Sequence, residues 1–363
     1  HYPCGAQTAA QPLSATLCAQ HGPHMTSAAV ITFLIDRRVL KAQDVVRHGV
    51  ALHDQSRDRF LLRTLMVGDR PRMILKQARS QDGLIQLRNE LRGLRQIRST
   101  AARSIVPACY LADPARGVLA MEYLGAPQAA SLSDESVLEL GKVLGHLHQR
   151  NPFTKQSRLP NDLPWIISAF ENTPAWRPPT FGKALSWLKG DHCVQRGLRR
   201  IQAEWQRPCL IHGDLKMEHC LERSGSERSA IVLIDWELAK YGDPSWDVAG
   251  VFYQEIVRLW IQSNSTALDS AEQGRRLDLG SLLVLMEIFG SAYVPLTREI
   301  GTGTDTFVRR LLLCLGARLM QLCFESIEND NDHAAPPPSL RLAELCFAEL
   351  PMLARHVRGS WPH

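Results

Sequence analysis

Two apolar stretches that each run into an aspartate decide the fold of this chain. The first reads Leu210-Ile211-His212-Gly213-Asp214-Leu215-Lys216-Met217-Glu218-His219, and the second, further along, reads Leu233-Ile234-Asp235-Trp236-Glu237. Both apolar runs have the composition of short buried strands, and the residues that follow them are typical of tight turns. The sequence therefore predicts two strand-to-turn junctions, one presenting Asp214 and the other presenting Asp235.

This pattern resembles the signature of the aminoglycoside phosphotransferase and choline kinase families, which are relatives of the protein kinases. Their signature is His-Gly-Asp, then an asparagine, then Ile-Asp-(Trp/Phe)-(Glu/Asp), and only the asparagine is missing here, because His219 occupies its position. A third match is Gly242-Asp243-Pro244-Ser245-Trp246-Asp247-Val248-Ala249. The resemblance spans roughly residues 40–330 and implies an α+β, bilobal, protein-kinase-like fold, with a small antiparallel-sheet N-lobe and a mainly helical C-lobe.

The chain divides into three predicted segments. Residues 1–25 are a tag, a cloning scar or a fused peptide outside the fold, residues 26–124 form the N-lobe, and residues 125–363 form the C-lobe, with the catalytic and metal loops at 210–250. In the N-lobe, a turn signal separates two β-rich runs, Phe60–Met66 and Arg72–Lys76. The apolar spacing that follows predicts one helix, and two further strands come after it; these elements lie at Asp82–Arg98, Ile105–Leu111 and Val118–Tyr123.

The C-lobe has the apolar periodicity of a helical domain. The predicted helices lie near Asp134–Gln149, Lys183–Trp205, Val248–Gln262, Ala271–Tyr293, Thr304–Ile327 and Ser339–Val357. Residues 150–180 are predicted to form a loop or insertion, and residues 328–338 an exposed polar run.

Phosphoryl transfer needs one carboxylate at the acceptor hydroxyl and another on the metal, and the two junctions provide both. Asp214 is the predicted catalytic carboxylate, and Asp235 the predicted Mg²⁺ ligand. Lys216 stands where the resemblance implies an ammonium that neutralises charge on the transferring phosphoryl group. Glu237 would project beside Asp235 if the strand continued, to assist metal or substrate, or it is simply solvated.

His219 is the one departure from the family pattern. The family's asparagine supplies an oxygen to a second Mg²⁺, and imidazole is a poorer ligand for this hard ion. Either one metal is held less tightly, or Glu218 or Glu237 compensates, or the enzyme is slow. The same substitution leaves a non-catalytic pseudokinase open as an alternative.

The resemblance also implies where the nucleotide binds. Lys76 matches the strand lysine that contacts the α- and β-phosphates, and Glu90 matches the helix acid that orients it. Met121, Glu122 and Tyr123 match the hinge whose backbone pairs with adenine. The nucleotide is therefore expected to be ATP, with GTP as the alternative, and the metal Mg²⁺. A glycine-rich phosphate loop is missing from the sequence.

Two further residues have implied structural roles. His212 supports the catalytic turn, and Asp247 braces it through hydrogen bonds from the backbone. Asp247 also stands where an N-cap would begin the next helix, so it is expected to be buried.

The composition limits the other classes of function. The net charge of +5 is too small and diffuse to indicate nucleic-acid binding. We expect no apolar run to reach the roughly 18 residues that span a bilayer, so no membrane partner is predicted. The nine cysteines have no metal-site or disulfide spacing, which favours reduced thiols in a cytoplasmic protein.

Three hypotheses describe the acceptor. The first is a Ser or Thr of a ribosomal precursor peptide, as in the stand-alone phosphotransferases of lanthipeptide and thioamitide pathways, where a partner lyase then eliminates the phosphate. It rests on Lys216 and on a hydroxyl-rich N-terminal peptide containing Thr8, Ser14, Thr16 and Cys18. The second is a small-molecule alcohol such as an aminoglycoside, a choline-like compound or a sugar. The third is a peptide-binding pseudokinase. Lys216 and the N-terminal peptide favour the first hypothesis over the second by a small margin.

Overall fold

The computed structural model describes residues 25–56, 59–100, 102–125, 133–154, 156, 158–168, 185–186, 190–223, 231–265, 279–298, 303–329 and 337–361. The N-terminal peptide 1–21, the second half of the predicted loop at 150–180 and most of the polar run at 328–338 lie outside these residues.

Residues 25–87 and 109–123 form the first of two compact units. Its antiparallel sheet has five strands in the order β1-β2-β3-β5-β4. The elements are α1 (Ser27–Asp36), α2 (Ala42–His48), β1 (Val50–Ser56), β2 (Phe60–Val67), β3 (Arg70–Ala78), β4 (Cys109–Asp113) and β5 (Val118–Glu122). The core forms where Val30 and Leu34 of α1 pack against Leu65, Met73 and Ala120 of the sheet.

The predicted hairpin forms, and Gly68 closes it with a φ of 59°, a left-handed conformation that glycine adopts without strain. The next predicted strand, Ile105–Leu111, begins later than expected, at Cys109. Residues Arg103–Ile105 form a 3₁₀ turn instead, and Pro107, which has no N–H to donate to a ladder, follows it.

The second unit comprises residues 88–108 and those from 124 onward. Helix α3 (Gln81–Arg98) runs into it from the first unit. The other helices are α4 (Asp134–Arg150), α5 (Trp165–Ser168), α6 (His192–Glu204), α7 (Pro244–Ser265), α8 (Leu279–Thr297), α9 (Thr304–Asn329), α10 (Pro338–Ala348) and α11 (Leu350–Ser360). Two small antiparallel sheets pair β6 (Cys209–Ile211) with β9 (Lys240–Gly242), and β7 (Cys220–Glu222) with β8 (Ile231–Leu233). A sheet-rich unit and a mainly helical unit confirm the predicted α+β class.

The predicted single helix Ser339–Val357 is wrong, because the chain forms α10 and α11 with a break at Glu349. Pro351 explains the break. Proline lacks the N–H of an interior helical residue and its ring collides with the preceding turn, whereas it is tolerated in the first turn of a helix, where it lies here.

The prediction that no apolar run approaches membrane-spanning length is also wrong. Within α8, Gly280–Thr297 is long and apolar enough to cross a bilayer by length and composition. The helix nevertheless packs along α4, and it buries Phe289 and Tyr293. Its exposed positions recur at helical spacing and include Ser281, Val284, Glu287 and Ser291. One packed face and one partly polar exposed face are the pattern of a helix that packs on protein.

A buried ion pair holds the start of α7. Asp243 Oδ1 accepts hydrogen bonds from the backbone N–H (3.0 Å) and hydroxyl (2.7 Å) of Ser245, so Asp243, and not Asp247 as expected, caps the helix. Its Oδ2 lies 2.9 Å from Nε of Arg310 on α9, and both side chains are almost inaccessible to solvent. Burial raises the pKa of Asp243 despite this guanidinium. The pair therefore contributes to stability only while both charges are present.

We expect Arg310→Met to lower the free energy of unfolding by about 3–5 kcal/mol, because it leaves the Asp243 carboxylate buried without its partner. Urea denaturation measures the change. The matched control is Arg309→Met, which removes a half-exposed arginine paired with Glu204 and should cost at most about 1 kcal/mol. Equal losses in the two variants would contradict this account of the pair.

Candidate active site

The catalytic turn follows β6 and is held by one buried carboxylate. Asp247 lies in the first turn of α7, is fully buried, and accepts hydrogen bonds from the backbone N–H groups of His212 (2.6 Å) and Gly213 (3.0 Å). Gly213 has a φ of 85°, and a Cβ there would collide with the carbonyl oxygen of Leu238. Only glycine fits this position. The turn is thereby fixed, and the residue that follows it is Asp214.

A hydrogen-bonded chain supports Asp247 from behind. Nε2 of His148, on α4, lies 3.3 Å from the Asp247 carboxylate, and its Nδ1 lies 2.9 Å from the hydroxyl of Tyr293. A carboxylate can only accept, so Nε2 of His148 donates to Asp247. Burial alone would raise the pKa of Asp247, but these hydrogen bonds outweigh it and the pKa is lowered. Asp247 is therefore ionised and can brace the turn.

Asp214 is mostly buried, and two cations approach its carboxylate. Arg318 on α9 donates to Oδ1 at 3.2 Å, and Lys216 Nζ lies 3.7 Å from Oδ2. Burial would raise the pKa of Asp214, but Arg318, Lys216 and two neighbouring histidines together lower it below its usual range. Asp214 is consequently a weak base and a good hydrogen-bond acceptor at neutral pH.

Arg318 was not predicted from the sequence. Its guanidinium also donates to the carbonyl of Leu215 (2.8 Å) and lies over the rings of Trp246 and Tyr253. The sequence did contain a sign of this role. Arg318 falls two helical turns after Leu311, on the apolar face of α9, where an arginine must find a buried partner.

The second predicted aspartate, Asp235, sits at the end of β8 with a φ of 65°. The strand does not continue to Glu237, because Trp236–Leu238 form a 3₁₀ turn. The turn still brings Glu237 close to Asp235. Carboxylate oxygens of Glu90, Asp235 and Glu237 all lie within 4.8 Å of one another, which is close enough to share a cation.

Asn89 holds this turn and was not predicted either. Its Nδ2 donates to the backbone carbonyls of Glu237 and Ala239, both at 2.8 Å. Because Asn89 immediately precedes Glu90 on α3, the same contact fixes the position of Glu90 next to the Asp235 turn.

His219 connects the two junctions. Its Nδ1 lies 2.8 Å from the backbone carbonyl of Asp214, and its Nε2 lies 3.6 Å from Oδ2 of Asp235. The ring stacks on His212, whose Nε2 donates to the carbonyl of Ile234. Burial and the neighbouring His212 lower the pKa of His219 to about 4, so the ring is neutral at physiological pH. His219 Nε2 and Asp235 Oδ2 are thus close enough to bind one divalent cation, and the carboxylates of Glu90 and Glu237 lie on the Asp235 side of this pair.

The predicted nucleotide-binding residues of the first unit lie on adjacent strands. Lys76 is on β3 with its Nζ 4.2 Å from the centre of the Phe60 ring, and Met121 and Glu122 are on β5, followed by Tyr123. The register pairs Met73 with Glu122. Lys76 belongs to the first unit and Glu90 to the second, and their pairing stays a prediction.

Comparison with known proteins gives a family and a fold. A sequence model of the phosphotransferase enzyme family matches residues 50–277. No curated protein matches the sequence. Among solved structures, the Plasmodium vivax ethanolamine kinase is 10% identical, with 91% of this chain and 89% of that chain covered and a TM-score of 0.53. A choline/ethanolamine kinase family protein from Mesorhizobium loti is 17% identical, with 91% and 99% covered and a TM-score of 0.47.

Removing the cation beside Asp214 should make this carboxylate easier to protonate. Arg318→Gln is expected to move the titration of Asp214 to higher pH, so that its charge is lost earlier as the pH falls. Carbon-13 NMR of aspartate-labelled protein measures this, with Asp214→Asn identifying the resonance. Arg318→Lys keeps the charge and is the matched control. An unchanged titration in Arg318→Gln would show that Arg318 does not act on Asp214.

Proposed function

The chain belongs to the phosphotransferase enzyme family, and we propose that it transfers the γ-phosphate of ATP to the hydroxyl group of a small-molecule alcohol. The observation that supports the proposal is the position of the Asp214 carboxylate on a turn that Asp247 holds in place. His219 contacts both the backbone of Asp214 and the carboxylate of Asp235, so it links the catalytic turn to the candidate metal ligand. This arrangement supplies the two carboxylate roles that phosphoryl transfer requires.

Asp214 would accept a hydrogen bond from the acceptor hydroxyl and orient its oxygen toward the phosphorus. Its lowered pKa makes it suited to orientation more than to early proton abstraction. In a loose transition state the acceptor hydroxyl loses little of its proton before the phosphoryl group has moved. A weak base is therefore sufficient. Lys216, 3.7 Å from Asp214, can neutralise charge on the transferring group.

Asp235, Glu237 and His219 would hold the divalent metal, for which Mg²⁺ is the first expectation. When bound, the metal supplies positive charge to the nucleotide phosphates. Lys76 is the proposed contact to the α- and β-phosphates, and the backbone of Met121, Glu122 and Tyr123 the proposed adenine contact.

Arg318 and Tyr253 beside Asp214 are almost inaccessible to solvent, whereas Lys216 and Glu218 are accessible charged side chains near the catalytic turn. The comparisons lend support to the small-molecule alternative, since a matched structure of this fold is an ethanolamine kinase. They lend none to the peptide acceptor or the partner lyase that the sequence first favoured.

The test is phosphate transfer from ATP and Mg²⁺ to a panel of amino alcohols, aminoglycosides and sugars, run beside a synthetic peptide of residues 1–21. We expect turnover with a small alcohol and none with the peptide. Asp214→Asn should lower kcat by about 10²–10⁴-fold, because an amide oxygen is a weaker acceptor than the carboxylate and cannot take the proton of the acceptor hydroxyl.

The matched control is Asp134→Asn, at an exposed position of the first turn of α4, which should leave kcat unchanged. Phosphate on the peptide alone would overturn the small-molecule proposal. Undiminished turnover in Asp214→Asn would overturn the catalytic role of this carboxylate.

A further inference from the structure

His219 has its ring orientation and its proton position fixed by backbone groups. Its Nδ1 lies 2.8 Å from the carbonyl oxygen of Asp214, and a carbonyl can only accept, so Nδ1 carries the proton. The backbone is fixed on both sides as well, because the His219 N–H donates to Lys216 O (2.9 Å) and the Ile234 N–H donates to His219 O (3.0 Å). The ring cannot turn without breaking the first of these contacts.

His212 is stacked against His219 and has the opposite tautomer. Its Nε2 donates to the carbonyl of Ile234 (2.8 Å), and its Nδ1 accepts from the Asp214 N–H (3.3 Å). The two rings stack with their centres 5.7 Å apart. Together they form hydrogen bonds with the backbone of Asp214 and Ile234, one residue at each junction.

The remaining nitrogen of His219 faces the carboxylate of Asp235. With the proton on Nδ1 engaged by the Asp214 carbonyl, Nε2 is the ring nitrogen left to bind a metal, and it lies 3.6 Å from Oδ2 of Asp235. A divalent cation between these two atoms would be bound by one imidazole nitrogen and one carboxylate oxygen. Two ligand atoms that each lie about 2.1 Å from one ion can be separated by up to about 4.2 Å, so the observed distance is compatible with a shared metal.

We infer that His219 Nε2 and the Asp235 carboxylate form a mixed nitrogen–oxygen site that selects a first-row transition-metal ion such as Mn²⁺ over Mg²⁺. The role of this metal in phosphate transfer rests on the proposed function, whereas the binding of the metal does not. The expected selectivity follows from the nitrogen ligand that His219 provides. Imidazole nitrogen binds first-row transition-metal ions, of which Mn²⁺ is the weakest binder, whereas the smaller Mg²⁺ strongly prefers oxygen donors and loses its waters reluctantly. Glu237, whose carboxylate lies within 4.8 Å of that of Asp235, adds an oxygen donor that either ion accepts.

Pulsed electron paramagnetic resonance of Mn²⁺ bound to the full chain tests the ligand directly. The protein is labelled with nitrogen-15 in histidine only, and no nucleotide is added, so that a nitrogen-15 coupling reports an imidazole ligand. We expect this coupling in the unaltered chain and its loss in His219→Asn. His356→Asn, at an exposed position on α11, is the matched control and should keep the coupling.

Competition between Mn²⁺ and Mg²⁺ gives the selectivity. His219→Asn should lower the ratio of Mn²⁺ to Mg²⁺ affinity by about tenfold or more, the scale on which altered metal surroundings usually act. Absence of a histidine coupling in the unaltered chain, or an unchanged ratio in His219→Asn, would overturn the inference. A histidine coupling in a chain that transfers no phosphate would support this metal site and count against the proposed function.

Discussion

The site depends on one fully buried carboxylate, that of Asp247. Burying a charge is costly unless donors surround it, and here the backbone N–H groups of His212 and Gly213 and the ring of His148 supply them. The lowered pKa of Asp247 keeps it ionised. This brace bends the chain sharply after β6 and requires glycine at position 213, so the side chain of Asp214 emerges in one defined direction.

Asp214 then serves two partners through two different groups. Its carboxylate meets Arg318 and Lys216, whereas its backbone carbonyl orients His219 toward Asp235. The acceptor side and the metal side of the site are thus tied through a single residue. A change at His219 would be expected to affect metal binding first, and a change at Arg318 the charge of Asp214, because the two contacts use separate atoms.

The sequence was sufficient for the parts that local motifs encode. Asp214, Asp235 and Asp247 were all recognisable, since each stands in a short pattern whose turn and neighbours demand that residue type. Arg318 and Asn89 were not, because each contacts its partner across more than 100 positions of sequence and no local rule links them. Glu237 was placed beside Asp235 for the wrong reason: a tight 3₁₀ turn, and not an extended strand, brings the two together.

Amide hydrogen exchange in Asp247→Asn tests the central claim most directly. An asparagine has one acceptor oxygen and presents N–H donors where the carboxylate had its second acceptor, so it cannot hold both backbone N–H groups of the turn. We predict that the amides of His212 and Gly213 exchange slowly in the unaltered chain and much faster in Asp247→Asn, while those of α9 stay protected. Unchanged protection of His212 and Gly213 would contradict the account, because the turn would then be held by something other than Asp247.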